Sequence, residues 1–253
     1  MQTHVGGFAA GLDYRVDPNT IVGFGLAGGT GSWGLADGMG GGNMNDFQAG
    51  VYGRHIAGPW YTALAAAFAT HDVSTNRNVT VAGTGGIYDA RFTAESLGAR
   101  AEGGYRVDLQ RFGVTPYAAL QAQVFHLPSY SETTTGDATY LLAYASKSVT
   151  DTHSEVGSWF DYRLTGVAPV TLFARAAWAH DFDIDRSAIA TFQSLPGASF
   201  IVNGASVARD AALASLGARV AMGHGWTLVG QIDGEDGDGW HSVSGNATIR
   251  KTW

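Results

Sequence analysis

The sequence has no cysteine, which excludes disulfide bridges, thiolate metal sites and cysteine nucleophiles. Charged residues are also scarce, because they make up 15% of the chain where about 25% is usual. The Lys and Arg residues form no basic cluster and the formal net charge is −7. A nucleic-acid partner is therefore not expected, since nucleic acid needs a concentrated positive face.

The sequence also lacks a continuous apolar run of the length that a transmembrane helix needs. Residues 19–36 carry no charge, but glycine, threonine and serine interrupt them. The first residues have neither the basic start nor the apolar centre of a secretory signal. An exported protein would then lack its beginning here, and any membrane role must come from β-strands.

Glycine is abundant, with 36 residues, and this disfavours helix. Apolar and polar residues instead alternate with a period of two, which predicts strands with one apolar and one polar face. Residues 170–182, 212–222, 226–235 and 243–250 show the pattern most clearly. We count roughly eleven such strands, many of them near the 9 to 11 residues that cross a bilayer at a tilt.

The connections between these strands alternate between short and long. The short ones lie at residues 17–19, 57–59, 108–113, 165–169 and 223–225, and the longer ones at about 30–45, 72–90, 127–149, 183–208 and 235–239. This alternation is typical of an up-and-down outer-membrane barrel, with tight periplasmic turns and longer external loops. It places the C-terminus in the periplasm. Aromatic residues beside the short turns predict an interfacial girdle: Tyr14, Trp60, Tyr105, Phe112, Tyr162, Trp226 and Trp253.

Several segments resemble the autotransporter β-domain family. They are GFAAGLDYR at 7–15, QAGVYG at 48–53, TPYAALQ at 115–121, PGASF at 196–200 and the hairpin at 234–253. The resemblance covers nearly the whole chain in the family's order. It implies a twelve-stranded translocator of a type V secretion system, whose first strand and preceding helix would lie upstream of Met1.

We therefore expect an all-β fold: an antiparallel up-and-down transmembrane β-barrel in which about 11 of 12 strands are present. Residues 1–253 should form a single autotransporter β-barrel domain, truncated at the N-terminus. The expected function is anchoring in the bacterial outer membrane and export of an N-terminal passenger. The expected partners are outer-membrane lipid, the barrel-assembly machinery and the chain's own passenger segment if one lies upstream.

The resemblance also implies an assembly signal at the end of the chain. Family members end in an aromatic residue that the assembly machinery recognises, and Trp253 occupies this place, with Ile249 and Ala247 on the same face of the strand. Lys251 departs from the pattern, because the family usually has Tyr or an apolar residue there. A lysine near the interface can extend its amine towards water.

The polar faces of the predicted strands predict the lining of the lumen, where charges are cheap and opposite signs can pair. The candidates are Arg15, Arg54, Arg100, Glu102, Arg106, Glu155, Asp161, Arg163, Arg175, Arg219, Asp233 and Arg250. Lumen solvation and ion pairing are favoured over a selective filter as their role.

Other motifs carry little weight. GFGLAG at 23–28 matches a dinucleotide-binding string, but no helix is predicted after it. The acidic segment 233–239 lacks the spacing of a calcium loop. His153 and Glu155 share a strand face without a nucleophile elbow. No catalytic residue, metal or cofactor is therefore expected, nor is an enzyme. The alternatives are a passenger-less structural or porin-like barrel, a barrel enzyme and a soluble β protein.

Overall fold

A computed structural model of the chain describes residues 2–81, 83–164, 169–183, 187–204 and 208–252. Most of this backbone is β-strand. In chain order the strands are β1 Gln2–Asp17, β2 Thr20–Gly34, β3 Gly40–Ala57, β4 Trp60–Val81, β5 Thr84–Tyr105, β6 Val107–Leu109, β7 Phe112–Leu127, β8 Tyr130–Ser131, β9 Leu142–Tyr144, β10 Lys147–Leu164, β11 Val170–Asp181, β12 Ser187–Phe192, β13 Ser199–Asn203, β14 Asp210–Gly223, β15 Trp226–Gly237 and β16 Trp240–Lys251, with a 3₁₀ turn at Ala36–Gly38. No helix in the described ranges is long and apolar enough to cross a membrane.

Eleven long strands in the described part of the chain form one antiparallel sheet. Its order is β1-β2-β3-β4-β5-β7-β10-β11-β14-β15-β16, and the short β6 pairs with β7. Each long strand thus pairs with the long strands that precede and follow it in the sequence. This arrangement confirms the predicted antiparallel up-and-down architecture, and the number of long strands matches the predicted eleven.

The sheet curls until its first and last strands face each other. Arg250 on β16 lies 2.7 Å from Asp13 on β1. Contacts also pass over an intervening strand, since Arg100 on β5 reaches Glu155 on β10 across β7 and Tyr52 on β3 reaches Asp13 across β2. Side chains can meet in this way only on the concave face of a curled sheet. We call the space that this face encloses the lumen.

Large apolar side chains cover the opposite, convex face. Phe8 is 80% exposed, Leu216 66% and Val243 77%. So much exposed apolar surface is rare on monomeric soluble proteins, whereas a barrel in a bilayer turns such a band towards lipid. The alternation of the strands therefore separates a wet interior from an apolar exterior.

The two ends of the sheet differ. At one end the strands are joined by tight turns, such as Ala57–Trp60, where Gly58 has a φ of +60° that favours glycine. Trp60 and Tyr105 pack edge to face beside this turn, with ring centroids 4.8 Å apart. At the other end most hairpins are longer. The longer connection predicted at 235–239 is wrong, because β15 continues to Gly237 and β16 begins at Trp240. The predicted girdle residue Trp253 lies outside the described residues.

Some long connections are more regular than the sequence predicted. Residues 72–90 are almost entirely strand, because β4 continues to Val81 and β5 begins at Thr84. Each of these strands has 22 residues, about twice what a tilted crossing needs, so their hairpin projects beyond the membrane.

The connections predicted at 127–149 and 183–208 contain four short strands. These pair in the order β13-β12-β9-β8 as a second sheet, which we call the cap sheet. Strands of two to six residues span too few positions for a period to be recognised in the sequence.

Candidate functional site

Polar side chains on the concave face connect one strand to the next around the sheet. We call them the luminal ring: Asp13, Tyr52, Arg54, Tyr61, Arg100, Glu102, Tyr117, Glu155, Arg175, Ser215, Asp233, Asn246 and Arg250. Every long strand except β2 contributes a member. The ring exists because successive strand residues point to opposite faces, so polar residues at every second position meet on one side.

Glu155 on β10 lies at the centre of the ring and is only 6% exposed. Arg100 donates from Nη1 to Oε1 at 2.7 Å and from Nη2 to Oε2 at 3.0 Å. Tyr117 donates its hydroxyl to Oε2 at 3.0 Å, and Nη1 of Arg175 lies 3.6 Å from the same oxygen. A guanidinium that binds both carboxylate oxygens fixes orientation as well as charge, so Glu155 ties four strands together.

The ring continues from Arg100 towards the start of the chain. Nη2 of Arg100 also donates to Glu102 at 2.9 Å, and Tyr61 on β4 donates its hydroxyl to the other oxygen of Glu102 at 2.8 Å. The guanidinium of Arg54 on β3 lies 4.7 Å from the centroid of the Tyr61 ring, a distance at which a cation is attracted to an aromatic face. Three neighbouring strands are therefore joined.

In the other direction the ring runs from Arg175 to the last strand. Nε of Arg175 donates to Oγ of Ser215 at 3.1 Å, and Ser215 donates to Asp233 at 2.6 Å. Asn246 on β16 lies 3.4 Å from the same carboxylate. A series of hydrogen bonds between neutral and charged side chains thus connects β11, β14, β15 and β16.

Asp13 closes the ring between the two edges of the sheet. It accepts hydrogen bonds from Arg250 at 2.7 and 2.8 Å and from the hydroxyl of Tyr52 at 3.2 Å. Tyr52 reaches it by passing over Gly23 of β2, where a Cβ atom would lie 2.5 Å from the tyrosine ring. Closing the ring therefore requires glycine at position 23, because a side chain there would occupy the path of Tyr52.

Charges in the ring balance. Four guanidinium groups, those of Arg54, Arg100, Arg175 and Arg250, face four carboxylates, those of Asp13, Glu102, Glu155 and Asp233. A cavity of about 330 Å³ lies among the ring residues near the two sheet edges. Such a surface holds water without strongly favouring ions of one sign.

His153 extends the ring beside Glu155. Its Nε2 lies 3.5 Å from Glu155 and its Nδ1 lies 2.8 Å from Asp181. His180, which precedes Asp181, points to the other face and instead lies 2.7 Å from Asp210. A histidine held between two carboxylates is an ion-pairing arrangement, and the contacts described for His153 include no serine or threonine nucleophile.

A second cluster lies near the tight turns. Arg106 donates to both oxygens of Asp161, at 2.8 and 3.1 Å, and to Asp108 at 3.0 Å. Arg163 lies 3.6 Å from Asp108. The remaining lumen candidates, Arg15 and Arg219, lie on the same face of β1 and β14 as Asp13 and Ser215. The structure thus gathers ten of the twelve predicted residues into two polar clusters.

The predicted lumen candidates omit the uncharged members of the ring. Tyr52, Tyr61, Tyr117, Ser215 and Asn246 occupy the same alternating positions as the charged residues. The alternation already assigns Ser215 and Asn246 to the polar strand faces, but only charged residues were chosen as candidates. Tyrosine is also common on the lipid side, so residue type alone does not assign it to the lumen.

The predicted assembly signal lies partly beyond the described residues. Ala247 and Ile249 are on the convex face of β16, where Ile249 is 65% exposed, and Trp253 is outside the described ranges. Lys251 donates a hydrogen bond to the carbonyl of His224, and its amine lies 5.2 Å from the Trp226 ring centroid. The lysine is thus held at the tight-turn end, where an amine can reach water.

An ion pair fastens the cap sheet to the β4–β5 hairpin. Glu132 is 5% exposed and accepts hydrogen bonds from Nε and Nη2 of Arg77 on β4, at 2.8 and 2.6 Å. The backbone N–H of Leu142 also donates to it, at 2.9 Å. Arg77 is on the concave face of β4, so the cap sheet packs over the lumen at the long-hairpin end.

Aromatic stacking strengthens this attachment. Tyr130 of the cap sheet stacks on Phe92 of β5, with ring centroids 4.2 Å apart, and on Tyr144 at 4.6 Å. Burial raises the pKa of both tyrosines above the ordinary value. Tyr130 therefore links the cap sheet to the hairpin, and Tyr144 packs behind it.

Comparison with known proteins agrees with this geometry. A model of the autotransporter β-domain family matches residues 1–233. The translocator domain of the autotransporter NalP from Neisseria meningitidis has a similar structure, with a TM-score of 0.80 and 17% identity over 98% of this chain and 80% of that one. No curated protein sequence matches.

Two further solved structures share the fold. The β domain of the Bordetella autotransporter BrkA gives a TM-score of 0.67 at 19% identity, covering 98% of this chain and 88% of that one. The transport unit of the autotransporter AIDA-I from Escherichia coli gives 0.55 at 11% identity, covering 99% and 81%. The predicted family, fold and bacterial outer-membrane location are confirmed. This chain belongs to the autotransporter β-domain family.

Proposed function

We propose that the chain anchors in the outer membrane and lines the pore through which an N-terminal passenger segment reaches the cell surface. The observation that carries this proposal is the luminal ring. A continuous, charge-balanced polar lining inside an apolar exterior suits the passage of a hydrated polypeptide, because it offers water and exchangeable hydrogen bonds without a strong net charge.

The unequal ends of the sheet give the orientation. Tight turns of outer-membrane barrels face the periplasm and long hairpins face outwards. β1 runs from the long-hairpin end at Gln2 to the tight-turn end at Asp17. A segment attached directly before Gln2 would therefore begin on the outside. A twelfth strand upstream would return the chain to the periplasm, and a passenger before that strand would reach the surface through the lumen.

A passenger-less porin-like barrel is the second candidate. The cap sheet argues against it, since a sheet fastened over the lumen by Arg77 and Glu132 narrows the opening at rest. We assign no catalytic role to the ring, because Asp13, Glu102 and Glu155 are bound by Arg, Tyr or His partners and Asp233 by Ser215, Gln231 and Asn246.

Outer-membrane lipid and the barrel-assembly machinery are the proposed partners. Trp253, with Ile249 and Ala247, forms the proposed assembly signal. Trp253→Ala should slow insertion into vesicles that contain the machinery, whereas Trp60→Ala, which removes a girdle tryptophan at the same end, should leave the rate nearly unchanged. If both variants slow insertion equally, Trp253 acts as a girdle residue and not as an assembly signal.

Export is tested by placing a signal sequence and an epitope-bearing linker before Met1 and expressing the fusion in a bacterium with an outer membrane. Protease added to intact cells should remove the N-terminal epitope. An epitope inserted after Pro18, in a tight turn, should survive until the outer membrane is opened. If the barrel inserts but the N-terminal epitope stays protected, the export role is wrong and the porin-like alternative stands.

A further inference from the structure

A cavity of about 610 Å³ lies at the long-hairpin end of β1 to β4. It is separate from the luminal ring, because most of its lining faces the other way. His4, Ser32 and Asn43 are cross-strand partners in one row, and the next row contains Gln2, Gly34, Gly41 and Asn76. Along each strand, these residues are an odd number of positions away from the residue that is in register with luminal Asp13. Because successive strand residues point to opposite faces, both rows are on the convex face.

Two glycines form the floor of this cavity. Gly34 and Gly41 lie opposite each other on the central strands, while Gln2 on β1 and Asn76 on β4 stand on either side. A Cβ at Gly41 would lie 2.5 Å from the carbonyl oxygen of Trp33, so the close approach of the strands requires glycine there. At Gly34 a Cβ would meet nothing within 4 Å, because it would point into the cavity.

The cavity lies just outside the apolar band. On the convex face of β1 and β3 the last large apolar residues are Phe8 and Phe47, paired through Gly28. His4 and Asn43 follow four residues further along, about 13 Å along a strand. With a strand tilt of roughly 40° this is about 10 Å above the band, at the level of the lipid head groups.

The lining suits sugars better than phosphates. Its described members include amide, hydroxyl and imidazole side chains and no Asp, Glu, Lys or Arg. Amides and hydroxyls both donate and accept hydrogen bonds, as sugar hydroxyls do, whereas phosphate is usually held by Arg or Lys. The volume falls in the range of about 300 to 1,000 Å³ that ligand sites occupy.

The outer leaflet of a bacterial outer membrane presents lipopolysaccharide, whose core sugars extend outwards from this level. We propose that the cavity between β1 and β4 binds neutral core sugars of a lipopolysaccharide head group in the surrounding leaflet. The contact would hold the projecting β2–β3 hairpin against the membrane surface. This inference rests on the proposed orientation and not on passenger export.

The test compares lipopolysaccharide binding by the purified full chain in detergent with that of two variants. Gly34→Leu fills the cavity without a backbone clash. Gly6→Leu is the matched control, because Gly6 also has nothing within 4 Å of a Cβ and lies on the same face of β1 outside the cavity. Binding of lipopolysaccharide with a complete core should weaken about tenfold or more in Gly34→Leu and stay unchanged in Gly6→Leu. Heat-modifiable migration in gels checks that each variant folds.

Asn43→Ala and Asn76→Ala provide a second route, since they remove hydrogen-bonding groups without filling space. Each should weaken binding several-fold. Deep-rough lipopolysaccharide, which lacks the outer sugars, should bind the native chain as weakly as the complete form binds Gly34→Leu. Equal binding of both forms, or unchanged binding by Gly34→Leu and both Asn variants, would overturn the proposal.

Two further measurements separate the possible sources of failure. Released core oligosaccharide should bind more weakly than the intact lipid, because it lacks the membrane anchor; equal affinity would show a site for free glycans instead. An epitope inserted after Asp37 should be accessible on intact cells. If it is not accessible, the proposed orientation is wrong and the proposed sugar site is wrong as well. If only passenger display fails, the proposal of a sugar site still stands.

Discussion

Arg250 on the last long strand donates two hydrogen bonds, at 2.7 and 2.8 Å, to the carboxylate of Asp13 on the first. Among the described residues, β1 and β16 share no backbone ladder. Within the part of the chain that the structure describes, this ion pair joins the two edges of the sheet. It therefore links the start of the chain to its end.

This pair should add measurably to stability. Because the Arg250 side chain is 51% exposed and that of Asp13 28%, we expect a coupling of about 0.5 to 1 kcal/mol. A double-mutant cycle with Asp13→Asn and Arg250→Met, followed by urea unfolding in lipid vesicles, measures it. The coupling should shrink in high salt, which screens exposed charges. No coupling at low salt would show that the edges are held by other contacts.

Glu155 should matter more, because it is buried and shared by several partners. Glu155→Gln leaves Arg100 and Arg175 facing a neutral amide, and we expect a loss of about 3 kcal/mol in the free energy of unfolding. Glu95→Gln removes a carboxylate from the convex face, where it is exposed, and should change stability by less than about 0.5 kcal/mol. Similar losses in both variants would contradict a central role for Glu155.

The architecture was predictable because apolar and polar residues alternate along the long strands, so that each strand has one apolar and one polar face. In residues 170–182 alternation assigns Trp178 to the outside and Arg175 to the inside, and the structure places them so. The connection to Asp13 was not predictable, since it depends on how far the sheet curls and on which strands become its edges. These are properties of the whole sheet, not of a local window.

The cap sheet shows a second limit. Tyr130 and Leu142 belong to strands of two and three residues, which are defined by tertiary contacts with Arg77 and Phe92 and not by a local pattern. Arg77 and Glu132 are 55 residues apart in the sequence. Single-sequence periodicity contains no information on such a pair.

Gly23 should be intolerant of a side chain. In Gly23→Ala the new methyl group would meet the Tyr52 ring at 2.5 Å and the carbonyl oxygen of Leu12 at 2.8 Å, so Tyr52 must leave Asp13. We expect a loss of about 1 to 3 kcal/mol, measured by urea unfolding. Gly25→Ala, on the same face of the same strand, has its nearest atom at 3.7 Å and should be nearly neutral.

A second substitution isolates the cause. Tyr52→Ala in the Gly23→Ala background should recover part of the loss, because only the Leu12 contact then stays close. If the double variant is no more stable than Gly23→Ala alone, the tyrosine is not what requires glycine at this position.

The cap sheet should open when its ion pair is removed. In Glu132→Ala the backbone N–H of Leu142 loses its acceptor and Arg77 keeps only the carbonyl of Tyr140. A broken buried pair costs about 3 kcal/mol. The backbone bridge between Asp89 and Thr133 stays in place, so we expect the cap sheet to loosen on the side that faces Arg77. The readouts are faster proteolysis within residues 127–147 and a higher single-channel conductance in planar bilayers. The matched control is Asp137→Ala, because Asp137 bonds only to Thr139 among its described partners and that contact stays within the connection. Proteolysis that rises without a change in conductance would mean that the cap sheet is fastened by Glu132 but does not narrow the pore.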